Sequence, residues 1–333
     1  MKIPRGAQTL AALVLLALPG SAEPFRVGVG DRIEIHRAGR AISVRDEARR
    51  HGLATDYLEI WLPRGWEDSW LDPEALRSLT RTGTTPVIAH WFFGDEISQE
   101  RVEGERAEWH RSLARLARRI AIDAPVIVLL EPEFNNAPPE GETAITDWAG
   151  FSDEVREAIR ILRHFAPKVQ VGLCAGDFSP TRDLEKAVSG VAGELDFLAF
   201  QEMRASTRHD KDALNLGEAA LSYARYLRQA FAKPVFLGYV AVASYGDWQL
   251  AQRDALRSLV RERRALEKAG VFGLVYFQLR DDPEHTGWFG PAERSFGVLN
   301  AKGEPKPALE PLRALGERLH APSGSHRSDP RPR

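Results

Sequence analysis

Glu131 and Glu133 stand two residues apart at the end of an apolar run, Val126 to Leu130 (VIVLL), and Asn135 and Asn136 follow closely. Carboxylates ending a buried strand are costly unless they face water or a ligand, so this placement marks a site rather than a core. On a regular strand, residues two apart point to the same side with Cα atoms about 6.6 Å apart; Pro132 between them is the feature that would distort this. Paired carboxyl groups suit cleavage of a glycosidic bond, one protonating the leaving oxygen while the other attacks or activates water. The competing reading is structural, with one of the pair held in a salt bridge to a nearby Arg.

Such a pair needs a scaffold that brings several strand ends to one place. Short runs rich in Val, Ile, Leu and Phe alternate along the chain with longer amphipathic segments. The pattern predicts strands over 25–30, 57–63, 86–93, 125–135, 169–177, 195–203, 234–244 and 271–280. Helices are expected over 44–51, from 72 onward, and over 99–122, 147–165, 182–192, 216–231, 248–269 and 307–319. Asp72 reads as an N-cap with Pro73 at the first helical position. Near-continuous apolar strands separated by helices indicate a parallel sheet covered on both faces. Eight such units in roughly 300 residues fit an α/β fold of one (β/α)8 TIM barrel better than an open doubly wound sheet. The open sheet would carry a Gly-rich phosphate turn, and Val27-Gly28-Val29-Gly30-Asp31 lacks the third glycine.

In such a barrel, function gathers at the C-terminal ends of the strands. Those ends carry Glu59 and Trp61, His90 and Trp91, Glu131, Glu133 and Asn135, then Asp177, Gln201 and Glu202, Tyr239, and Gln278. Asp281, His285 and Trp288 follow in the loop beyond strand eight. Aromatic rings stack on the apolar face of a sugar, while carboxylates and amides bind its hydroxyls. A phosphate ligand would want a Gly-rich turn at a helix N-terminus instead. Glu59, Trp61, His90, Trp91, Asn135, Asp177, Gln201, Tyr239, Gln278 and Trp288 are therefore the expected substrate-binding set.

The chain resembles clan-A glycoside hydrolases, most nearly family 26 endo-mannanase-like and related β-glucanase-like barrels, over roughly residues 25 to 320. In those barrels the acid/base Glu ends strand four inside a Glu-Met-Asn-like motif, which Glu133-Phe134-Asn135 matches. The stretch 296–308 (FGVLNAKGEPKPA) looks like the ending that leads into their last helix. The resemblance implies that Glu133 is the acid/base and that a nucleophilic Glu ends strand seven. The segment 234–244 (PVFLGYVAVAS) contains no carboxylate. Glu202, then Glu131, then Asp281 are the substitutes considered for the second catalytic carboxylate. The expected function is a glycoside hydrolase acting on a β-linked poly- or oligosaccharide. The alternative is a related barrel that binds glycans without cutting them.

The first 22 residues read as a secretory signal peptide: Lys2 and Arg5, an apolar stretch from Leu10 to Leu18, then Pro19-Gly20-Ser21-Ala22. That stretch is too short to span a bilayer. The barrel domain is expected over 23–320 and a disordered tail over 321–333 (APSGSHRSDPRPR). The protein is thus expected to be secreted or periplasmic, monomeric, and off the membrane once the leader is cleaved. Lys and Arg total 45 against 47 Asp and Glu, a net charge of −2, with the basic residues scattered along helices. Nucleic acid and anionic membranes are poor partners for such a surface. Cys174 is the single cysteine, which forbids an intrachain disulfide, and its apolar strand predicts a buried, inert thiol. No His-Glu-x-x-His spacing occurs, and no metal or cofactor is expected; His90, Glu131 and Asp177 are the set that would come nearest to a metal site.

Overall fold

The runs of Val, Ile, Leu and aromatic residues become strands because both of their faces are covered. A computed structural model describes residues 25–30, 40–94, 97–136, 141–176, 182–205, 215–245, 248–285, 287 and 289–317. The expected signal peptide, the tail, Asp177 and Trp288 lie outside the described residues. The strands are β1 (Arg26–Gly30), β2 (Tyr57–Pro63), β3 (Thr85–Trp91), β4 (Val126–Leu130), β5 (Val169–Ala175), β6 (Phe197–Arg204), β7 (Val235–Val242) and β8 (Val271–Tyr276). They pair in chain order into a closed barrel, and β1 joins β8 in parallel. The helices between and after them are α1 (Arg40–Arg50), α2 (Pro73–Arg81), α3 (Gln99–Arg119), α4 (Trp148–Phe165), α5 (Arg182–Ser189), α6 (Leu216–Phe231), α7 (Gln249–Lys268) and α8 (Leu309–Gly316). This is a single (β/α)8 barrel, as the alternation of patterns predicts.

Local signals set the helix starts. Asp72 accepts hydrogen bonds from the amides of Glu74 and Ala75, both at 3.2 Å, with Pro73 at the first helical position as expected. Ser98 caps α3 through the Arg101 amide at 3.2 Å, and Asp147 caps α4 through the Gly150 amide at 2.9 Å. Each such cap satisfies an amide that the helix itself leaves unpaired, which stabilises by about 1 kcal/mol.

Alternation along the strands divides the interior in two. Val128, Leu130, Val171, Leu173, Leu237 and Val240 belong to the layer between sheet and helices. Tyr57, Trp61, Ala89, Leu129, Cys174, Phe197, Phe236, Tyr239 and Phe277 fill the lumen. Small residues make room for large ones there. A Cβ on Gly172 would lie 2.4 Å from the Phe197 ring, and one on Gly238 would lie 3.1 Å from Cys174 Sγ.

Two departures from the predicted strands matter for the site. First, β4 ends at Leu130, five residues before its expected limit at Asn135. Glu131 and Glu133 then take positive φ, 41° and 68°, a left-handed conformation that typically costs non-glycine residues about 1 kcal/mol or more each. Second, β7 carries one extra residue. Phe200 pairs with Leu237 and the next residue, Gln201, with Tyr239, so Gly238 is skipped; the β8 side shows the same irregularity between Leu237 and Val240. A bulge of this kind re-aims the residues after it. Here it turns Tyr239 into the lumen, whereas unbroken alternation from Phe236 would send it outward.

Candidate active site

The turn after β4 separates the two carboxylates that the sequence pairs. Glu131 is buried and faces α3 and the end of β3. Its Oε2 accepts from the backbone amides of Phe92 (3.0 Å) and Phe93 (3.1 Å), and its Oε1 accepts from Trp109 Nε1 (2.7 Å). His90 Nδ1 lies 3.3 Å from the same Oε1, and His90 Nε2 lies 2.9 Å from Ser112 Oγ. Ser112 in turn accepts from Trp66 Nε1 at 3.0 Å. His90 sits between Ala89 and Trp91, whose side chains belong to the lumen, so its own ring lies on the outer face of β3. Glu131 and His90, expected as a candidate catalytic carboxylate and a substrate ligand, are thus placed in the layer outside the lumen, where their partners anchor the β4 turn. The regular-strand geometry that would have put both Glu side chains on one side ends with the strand itself.

Glu133 is the member that reaches the mouth. Its Oε1 accepts from the Tyr239 hydroxyl at 2.6 Å and its Oε2 from Asn136 Nδ2 at 2.7 Å. Its amide donates to the Cys174 carbonyl at 2.9 Å, tying the turn to β5. Asn135 points elsewhere, accepting from the Gly176 amide at 2.6 Å. The residue beside Glu133 is therefore Asn136, which the sequence pattern did not single out; a second amide following the Glu was the available signal.

The other substitute carboxylates, Glu202 and Asp281, are each paired with a cation. Glu202 pairs in register with Val240 of the outer layer and forms an ion pair with Arg204, two residues on and on the same face. The alternation of β6 thus directs Glu202 outward, away from the mouth. Asp281 receives Lys306 Nζ at 2.8 Å. Burial raises the proton affinity of Asp281 above the ordinary range and lowers that of Lys306, each opposed by the partner's charge.

Above and around Glu133 lies an aromatic collar. Trp61 makes edge-on contacts with Trp91 (5.5 Å between centroids), Tyr239 (5.0 Å) and Phe277 (5.5 Å). Phe277, another residue the sequence pattern did not single out, also packs near the His285 ring at 6.4 Å. His285 Nε2 lies 2.7 Å from Glu293 Oε2, and Glu293 Oε1 accepts from the Phe289 amide at 2.8 Å, fixing the loop after β8. Several buried polar atoms have no hydrogen-bond partner among the described residues: Trp61 Nε1, Trp91 Nε1, Gln201 Oε1, and both amide atoms of Gln278. Unpaired buried polar groups typically cost about 1–3 kcal/mol each, so native structures keep few without a reason.

Glu59 lies deeper. It sits on β2 between the lumen residues Tyr57 and Trp61, fully buried, and neither of its oxygens has a hydrogen-bond partner among the described residues. A Cβ on Gly30 would lie 3.1 Å from Glu59 Oε2, so the glycine leaves space for the carboxyl group. Burial pushes the Glu59 carboxyl well above the usual carboxylate range, and the Trp61 indole, near but not aligned for a hydrogen bond, tempers the rise. Burial also raises Cys174 well above the usual thiol range, reinforced by the charges of Glu59 and Glu133. That is the inert buried thiol its strand predicts. Tyr239 is raised likewise, first by burial and then by the charge of Glu133.

The sequence matches no protein-family model and no curated protein. Its backbone is similar to solved glycoside hydrolases. These include a β-galactosidase from the psychrophilic Marinomonas ef1 (TM-score 0.60, 13% identity, 88% of this chain and 59% of that one). The catalytic core of a xylanase A gives a TM-score of 0.60 at 13% identity over 87% of this chain and 98% of that one. The endo-β-1,4-mannanase from Thermotoga petrophila gives 0.58 at 14% identity over 89% and 77%. The chain spans 59% of the galactosidase's length and 50% of that of a β-glucuronidase of an uncultured Clostridium sp.. At 12–15% identity the likeness shows a shared (β/α)8 barrel fold, and no single family is singled out.

Proposed function

We propose that the protein is an exported glycoside hydrolase acting on a β-linked poly- or oligosaccharide, with Glu133 as its catalytic carboxyl group. The observation that carries this reading is the setting of Glu133. It lies in the turn after β4 at the barrel mouth, half-buried, with one oxygen on a lumen tyrosine of β7 and the other on Asn136. Active sites of this fold are built at that end of the barrel. The collar of Trp61, Trp91 and Phe277 offers ring faces and edges for a sugar. The indole N–H groups of Trp61 and Trp91, without a partner among the described residues, and the amides of Gln201 and Gln278 offer donors and acceptors for hydroxyls. The fold neighbours add support at the level of architecture, since fold alone does not fix function. Secretion or export to the periplasm rests on the leader-like pattern of residues 1–22.

The test is release of reducing sugar from β-glucans, mannans and xylans by the full chain and by Glu133→Gln. Turnover is expected to fall by about 10²–10⁴-fold in the variant, the usual contribution of a positioned acid or base, with glycan binding and thermal stability near those of the parent. Equal activity in parent and variant would sink the assignment of Glu133. A second reading, a barrel that binds glycans without cleaving them, is favoured by the absence of a carboxylate from 234–244. Glycan binding by the parent with no sugar released from any substrate would establish it.

A further inference from the structure

Among the described residues, Glu59 and Glu133 are carboxyl groups that share the lumen, and their surroundings are opposite. Glu133 receives a hydroxyl on one oxygen and an amide N–H on the other, an arrangement that suits a carboxylate. Glu59 accepts no hydrogen bond from the described residues on either oxygen and is fully buried. The two are not independent, because both charges act on Cys174 and on Tyr239. Tyr239 bonds to Glu133 and packs at 5.0 Å on Trp61, two residues from Glu59 on the same face of β2. Two like charges in so apolar a space repel strongly, so one of the pair keeps its proton.

We propose that Glu59 holds the proton of this site while Glu133 rests as the carboxylate, so that the lumen carries one negative charge at neutral pH. Glu59 then acts as a positioning residue: as a neutral acid it leaves the charge on Glu133, and on ionising it opposes that charge. The titratable groups near the pair in the lumen include Tyr57 on β2, Cys174 on β5 and Tyr239 on β7, the last two raised by burial. Those on neighbouring strands that lie outside the lumen are His90, engaged with Ser112, and Glu202, paired with Arg204. Both side chains face the outer layer, away from Glu59. The proposal goes beyond the resemblance, which gives Glu133 the proton and assigns no role to a carboxyl group on strand two. It rests on the reading of Glu133 as the catalytic carboxyl group.

Infrared difference spectra of the full chain at neutral pH test where the proton sits without requiring turnover. The carbonyl stretch of a protonated carboxyl group is expected in the parent, missing in Glu59→Gln and in Glu59→Leu, and retained in Glu133→Gln. The leucine variant guards against a glutamine that disturbs folding. A band lost in Glu133→Gln but kept in both Glu59 variants, or no such band in the parent, overturns the proposal. Where the parent releases sugar, its pH–activity profile gives a second readout. The alkaline limb is expected to move to higher pH in Glu59→Gln while the acid limb stays, and an unmoved alkaline limb counts against Glu59. If no glycan is cleaved, the hydrolase reading fails on that result alone, and the infrared comparison still decides the proton.

Discussion

Two buried carboxylates on opposite sides of the same sheet contrast in every respect except their burial. Glu131, in the layer between β3, β4 and α3, has two backbone amides and an indole N–H pointed at it, with His90 close by. Glu59, in the lumen, has no partner among the described residues. Around Glu131 the outer layer is finished: the polar atoms of Trp66, Ser112, His90, Glu131 and Trp109 satisfy one another. The mouth of the lumen differs: among the described residues, atoms of Trp61, Trp91, Gln201 and Gln278 have no partner, like the oxygens of Glu59. Complete satisfaction marks a group that holds the fold together, and unmet polarity in a half-open aromatic setting marks one kept for a ligand or for a proton.

The sharpest way to break this contrast is to remove the anchor. Glu131→Ala should destabilise by about 4 kcal/mol, since three N–H donors lose their acceptor at about 1–3 kcal/mol each. Denaturant unfolding reads this directly. A variant as stable as the parent would mean that the layer is not held as described. Glu133→Gln, only two residues away, should leave the unfolding midpoint nearly unchanged.

A smaller effect is expected from Tyr239→Phe, which removes one hydrogen bond to a charged carboxylate and keeps the ring. Turnover should fall about 10–100-fold, the value of a bond to an ionised group, with little change in stability. A loss of stability without a loss of turnover would return Tyr239 to the core.

The smallest effect concerns the pH dependence of stability. Burial holds the Glu59 carboxyl above its ordinary range in the folded chain. Above a pH of about 4.3 the unfolded chain releases this proton while the folded chain keeps it. The unfolded state then binds fewer protons, so Glu59 makes stability fall as pH rises from that point until the folded group itself ionises. Glu59→Leu should therefore flatten the decline toward alkaline pH and be as stable as the parent, or more so, at neutral pH. Unfolding midpoints that fall with pH equally in both proteins would show that Glu59 does not carry the effect.

Much of the fold was legible in residue order. The eight apolar runs and the helices between them follow from burial on both faces of a parallel sheet, and the start of α2 follows from Asp72 and Pro73. The position of Glu133 at a strand end and the burial of Cys174 were legible for the same reason, because an apolar run leads to each. Glu59 was visible as a polar interruption in an apolar strand, although not as an unpaired one.

What residue order did not determine is which way each side chain turns. Glu131 and Glu133 share one short stretch, yet the early end of β4 and two left-handed residues send one to α3 and the other to the mouth. Glu202 follows Gln201 directly, and strand alternation points the first outward and the second inward. Tyr239 faces Glu133 because a bulge at Gly238 shifts the alternation of β7 by one residue. Composition and hydrophobic period report how deeply a residue is buried. Its direction is settled by register and by the partners waiting across the barrel, and those exist only once the chain has closed on itself.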